Sequence, residues 1–185
     1  MKQKAFQNML TVGVEDGSFQ KGITREALLA AVLLKEANIK SVKVVKITVD
    51  GLDATEKLSE VLKKWNFTAV MLAGVSFAGF NLINPTIIYE KFKKPVIIIS
   101  RTKPDNRAVK QALQKHFEDW EMRWKVFQNL GSVHKIVTRS GEPPLYAEIV
   151  GASVKWASNI IRALCFCGRV PEPIRAARLI ARGLS

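Results

Sequence analysis

Histidine and cysteine are scarce in this chain, two of each among 185 residues. Cys165 and Cys167 sit two apart in an expected helix, so they point to different faces and are poorly placed to bridge. A lone C-x-C with no His or second Cys pair nearby gives little ground for a metal site, and core packing is the expected role. His116 falls on the apolar face of an expected helix and reads as a core histidine, while His134 has no partner visible in sequence. No apolar run approaches the roughly 20 residues of a membrane span. The opening "MKQKAFQNML" is broken by Gln3, Lys4, Gln7 and Asn8, so a signal peptide is not expected and a cytoplasmic location is. Several catalytic signatures are missing too. "GVSFAGF" has glycines but neither the Lys-Ser/Thr ending of a P-loop nor dinucleotide spacing, and no G-x-S-x-G or Cys/His nucleophile pair occurs.

Negative charge is in short supply. Sixteen Asp and Glu stand against 29 Lys and Arg, a net charge of +13. Such an excess favours a polyanionic partner such as DNA or RNA, or an anionic membrane surface; solvated lysines are the competing explanation. Hydrophobic residues at 48% and charged residues at 24% describe an ordinary globular protein. The length suits one substantial core, and no linker, repeat or low-complexity segment divides residues 1–185, so a single domain is expected.

The apolar pattern predicts strands over 9–15, 26–35 and 40–49, joined by short links as an antiparallel meander. The second run, "EALLAAVLLK", is ambiguous between buried strand and helix, and the β-branched third run argues for strand. The period then changes. Leu58, Val61, Leu62 and Trp65 predict a helix over 54–65, followed by a continuous apolar strand over 67–73. A helix after Pro85 and a strand over 95–100 come next. Apolar strands alternating with helices imply parallel pairing covered on both faces. A long helix is expected over about 104–128, a weak hairpin within 133–150, and helices over 153–167 and from "PEP" to about 182. Three antiparallel strands followed by two parallel strands, with helices on both faces, is the order of a ribonuclease-H-like mixed α/β sheet. A doubly wound sheet is the alternative.

Acidic pairs close the early strands: Glu15 and Asp16 after the first, Asp50 and Asp53 after the third. If strand ends bring Glu15, Asp16, Asp50 and Asp53 together, they can ligate Mg²⁺ or Mn²⁺, which take oxygen ligands, and Glu15, Asp16 and Asp53 become candidate catalytic groups for phosphodiester chemistry. Local roles compete. Asp53 with Glu56 fits a capping box, and Asp16-Gly17 and Asp50-Gly51 are ordinary turn pairs. On the last helix Arg175, Arg178 and Arg182 share one face, leaving Ile174, Ala177 and Ala181 for the core. With Lys21 they are candidate phosphate contacts.

The segments "GVEDGSF", "VDGLDATEKL", "MLAGVSFAGFN", "KPVIII", "ALQKHFEDWEMR" and "VPEPIRAARLIA" resemble the archaeal family called domain of unknown function ninety-nine, over about residues 10–182. That family is distantly similar to endonuclease V, a Mg²⁺-dependent, ribonuclease-H-like enzyme that cuts nucleic acid near deaminated adenine. The resemblance implies that endonuclease V's first-strand aspartate falls on Glu15 and its second carboxylate near Asp53. Its fourth-strand aspartate falls on Ala73, and a histidine after "PEP-x-R" falls on Arg178. Its tyrosine-and-proline wedge has no match in "KVVKITVDGLD". The resemblance supports a nucleic-acid-facing site in a protein that is either a divalent-metal nuclease of altered site or a nucleic-acid-binding module. A protein-interaction or small-molecule module with a relict carboxylate site is the third reading.

Overall fold

The computed structural model describes Phe6 and residues 8–185; the reading of the N-terminal segment as no signal peptide lies largely outside them. Nine strands occur among the described residues: β1 (Leu10–Asp16), β2 (Glu26–Lys35), β3 (Asn38–Thr48), β4 (Ala69–Leu72), β5 (Ser76–Phe77), β6 (Asn81–Leu82), β7 (Val96–Ser100), β8 (His134–Ile136) and β9 (Leu145–Val150). Six helices accompany them among the described residues: α1 (Ala54–Leu62), α2 (Pro85–Phe92), α3 (Asn106–His116), α4 (Trp120–Gln128), α5 (Val154–Ala163) and α6 (Glu172–Gly183).

The main sheet runs β3-β2-β1-β4-β7-β9-β8. β1, β2 and β3 pair antiparallel, and β4 and β7 then add parallel to β1. β9 and β8 extend the far edge antiparallel. The apolar run of β2 is a strand because both its faces are covered; Leu29 packs on one side and Val32 and Leu34 on the other. β3 is an edge strand, and the exposed Lys40, Lys43 and Lys46 keep that edge charged. α1 and α2 carry the crossovers on one face, where Leu58, Leu62 and Ile88 join Val12, Val14 and Val70 in the larger core. α5 and α6 cover the other face, against Met71, Ile97 and Ile99. No helix among the described residues is long and apolar enough to cross a membrane.

Three expectations need correction. The helix expected over 104–128 is two helices. Phe117 is extended (φ −135, ψ 126), and its ring leaves the helix to meet Phe80 edge-on at 5.5 Å, under the Arg123 guanidinium at 4.4 Å. His116 is consequently exposed at the end of α3, not in the core. α5 stops at Ala163, so both cysteines lie beyond it; Cys165 is half-buried but Cys167 is exposed and does not pack in the core.

One close approach fixes α6 on the sheet. A Cβ on Gly13 would lie 2.0 Å from the Pro173 carbonyl oxygen, so the first turn of α6 rests directly on the β1 backbone. Ile174, Ala177 and Ala181 are buried as expected, their short side chains keeping the helix near the sheet. Gly13→Ala should therefore lift α6 and cost about 3 kcal/mol or more, at the upper end of typical overpacking. Denaturant unfolding of the variant measures this, and an unchanged midpoint would show that the helix is not seated there.

Candidate functional site

The carboxylates at the strand ends diverge because β1 alternates its side chains. Asp16 points with Val12 and Val14 to the α1 face, where its Oδ2 accepts a 2.6 Å hydrogen bond from the Ala78 N–H. Asp50, at φ +58, accepts from the Phe80 N–H at 2.8 Å, and its own N–H donates to the Ala78 carbonyl. A Cβ on Gly79 would collide with the Asp50 carboxylate, so this turn requires glycine. Asp53 accepts from the Thr48 N–H and hydroxyl and from Asn81 Nδ2. Asp16 and Asp50 thus hold the loop at residues 77–82, and Asp53 joins its Asn81 to Thr48; the loop is anchored again by the buried Arg123. Arg123 donates to the carbonyls of Gly51 and Phe80 and pairs with Asp119 at 2.8 Å.

The capping box expected of Asp53 and Glu56 does not form; Asp53 makes no side-chain cap. The buried Asn81 caps α1 instead, its Oδ1 accepting from the Ala54 N–H at 2.9 Å. Burial pulls the Asp53 carboxyl upward, but the hydrogen bonds from Asn81 and Thr48 outweigh it and hold the group below its usual range. Sequence reasoning missed Asn81 and Arg123 as organisers; the "AGFN" loop carried the only signal, in its glycine.

Glu15 leaves β1 on the α6 side, its carboxyl still within reach of that of Asp16. With Ala73, Ser100, Arg178 and Arg182 it lines an open cavity of about 380 Å³ at the ends of β1, β4 and β7. Burial, reinforced by the charge and hydrogen bonding of Asp16, pushes the Glu15 carboxyl up to about 7, against the opposing pull of Arg178 and Arg182. Neither of those guanidinium groups has a hydrogen-bonded carboxylate among the described residues. Arg175 differs. It makes a bidentate pair with the buried Glu172 at 2.7 and 2.6 Å, beneath the start of the helix. Lys21 is exposed in the link between β1 and β2 and does not line the cavity.

The expected four-carboxylate cluster is therefore not assembled. No group of three or more His, Cys, Asp and Glu side chains among the described residues is placed to hold a metal ion. The donor set at the cavity, one carboxylate facing two arginines with alanine at position 73, does not fit a two-ion site for Mg²⁺ or Mn²⁺, which needs several anionic oxygens in a small volume. It fits an anion.

Ala73→Asp tests how far this follows from the missing carboxylate. The variant places a second carboxylate in the Glu15 cavity. It should melt at a lower temperature than wild type without metal, through repulsion and desolvation. It should gain more from Mn²⁺, about 1.4 kcal/mol at ten times its dissociation constant. Equal Mn²⁺-induced shifts in the two proteins would show that position 73 does not act with Glu15.

Comparison with known proteins identifies the family and the fold. The endonuclease dU family model matches residues 7–185. The UPF0215 protein of Thermococcus gammatolerans is 35% identical over 188 residues, covering 98% of this chain and 94% of its own. That of Methanothermobacter thermautotrophicus is 31% identical, covering 94% and 86%. Among solved structures, a protein of unknown function from Archaeoglobus fulgidus matches with a TM-score of 0.84 at 27% identity, over 95% of this chain and 98% of that one. Endonuclease V of Ciona intestinalis, in complex with a DNA containing an inosine followed by a ribo-adenosine, matches with a TM-score of 0.60 at 13% identity, over 95% and 91%. At that identity the likeness concerns the fold, which is ribonuclease-H-like and shared with endonuclease V. By the span of the family match and the identity to its archaeal relatives, the chain belongs to the endonuclease dU family.

Proposed function

We propose that the protein is a nucleic-acid-binding endonuclease whose site is the Glu15 cavity and whose substrate is DNA containing deoxyuridine. One observation carries the reading. The positions that the resemblance to endonuclease V assigned to its first-strand aspartate, its fourth-strand aspartate and its C-terminal histidine are Glu15, Ala73 and Arg178, and all three line one cavity. The family's name supports the deoxyuridine substrate. Arg178 and Arg182, which make no ion pair within bonding distance among the described residues, hold a backbone phosphate, and the net charge of +13 adds long-range attraction. A carboxyl that titrates at about 7 exchanges protons at neutral pH, which suits Glu15 to move a proton at a reacting phosphodiester. Arg175, held by Glu172, serves the fold, and Lys21 is too peripheral to join this cavity.

A second reading, binding without cleavage, is favoured by Ala73, which supplies no oxygen beside Glu15. The two readings separate in one set of experiments. Salt-dependent binding of a deoxyuridine oligonucleotide should give a log–log slope that falls by about one for each of Arg178→Ala and Arg182→Ala, and is unchanged in Arg175→Ala. Nicking of the same duplex should fall about a hundredfold or more in Glu15→Gln while binding persists. An unaltered salt slope in the Arg178→Ala/Arg182→Ala double variant would remove this cavity from the interface. Wild-type binding with no nicking would establish the second reading.

A further inference from the structure

Another carboxyl group lines a cavity at the strand ends, with its oxygens open to that cavity. Glu148 lies on β9 opposite Ile98 and is 4% exposed. Its side chain makes no hydrogen bond or ion pair with any described residue. Burial alone pushes its carboxyl upward. The carboxyl is not sealed in the core, and a partly desolvated acid with no donor beside it adds nothing to the stability of the fold. It lines a cavity of about 210 Å³ whose walls are apolar at Val75, Phe127 and Leu130 and polar at Ser76, Ser100 and Asn106.

The position of this cavity gives it a purpose. Ser100 lines it and the Glu15 cavity alike, and the consecutive residues Ala73 and Gly74 each line one of the two. The recess thus meets the Glu15 cavity around the ends of β4 and β7, approaching it from the other face of the sheet. We propose that the Glu148 cavity receives a single unpaired pyrimidine base from the bound strand, and that Glu148 binds that base's hydrogen-bonding edge. The inference rests on the reading of the Glu15 cavity as a phosphate site. A carboxylic acid offers one donor and one acceptor side by side, matching the O4 acceptor and N3–H donor of uracil with two parallel hydrogen bonds. The flat ring meets Phe127 and Val75. Acting on a base in a duplex requires taking it out of the stack, and a recess with apolar walls and one polar end is the usual receptacle.

The test compares two oligonucleotides identical but for one position, deoxyuridine in one and an abasic analogue in the other. Wild type should prefer the deoxyuridine strand, and Glu148→Leu, similar in volume but apolar, should lose about tenfold of that preference. Affinity for the abasic strand should not change, because the phosphate contacts remain. Without nucleic acid the Leu variant should melt higher than wild type, since a partly desolvated carboxyl is gone; a residue kept for structure would give the opposite sign. Ser76→Phe fills the recess and leaves Glu148 in place, and should also lose the preference. Preference retained in both variants, or a lower melting temperature in Glu148→Leu, overturns the proposal while leaving the Glu15 site standing. Failure of wild type to bind either strand overturns both.

Discussion

The contact between Gly13 and the first turn of α6 governs the rest of the site. With no side chain on β1 at that point, the Pro173 backbone rests on the strand, and the helix continues over Ile174, Ala177 and Ala181. Its next polar face then stands over the end of β1, which is how Arg178 and Arg182 come to line a cavity with Glu15. The same seating buries Glu15 and pushes its carboxyl toward neutrality. A larger residue at position 13 would separate the arginines from the carboxylate, so packing at one glycine and chemistry two residues later are the same constraint.

The opposite face explains why a chain this basic places its aspartates at strand ends. Asp16, Asp50 and Asp53 accept hydrogen bonds from a loop whose N–H groups would otherwise be buried unpaired, and Arg123 satisfies the carbonyls of that loop. Each carboxylate is held by donors of the protein itself. The alternation of β1 separates the two roles, so that Asp16 holds the loop and its neighbour Glu15 faces the cavity. What remains in the cavity attracts an anion more than a cation.

The antiparallel meander, the two parallel strands and most helices were legible in the apolar periodicity, because strands buried on two faces and amphipathic helices leave distinct patterns; the β5–β6 hairpin, the place of β9 beside β7 and the end of α5 at Ala163 were not. The break at Phe117 was not, since it depends on Phe80 and Arg123, both distant in sequence. The arginine face of α6 was legible as a stripe, but the stripe could not show that Glu172 occupies Arg175 while Arg178 and Arg182 line the Glu15 cavity. The expected metal cluster failed for a similar reason. Adjacent residues on a strand point to opposite faces, and the donors that claim Asp50 and Asp53 come from residues 48 and 80–81. Glu148 carried no signal at all, because a single Glu in a short strand reads as a solvent-facing residue.

The central claim is that Glu15, with Arg178 and Arg182, faces a backbone phosphate. Carbon-detected NMR of glutamate carboxyl groups follows the Glu15 titration directly. The free protein should show a midpoint at about 7. Saturation with a deoxyuridine oligonucleotide should move that midpoint upward, because a phosphate placed beside the group disfavours its charged form and competes for the two arginines. A midpoint that stays in place on binding, or one in the ordinary carboxylate range in the free protein, would contradict the account.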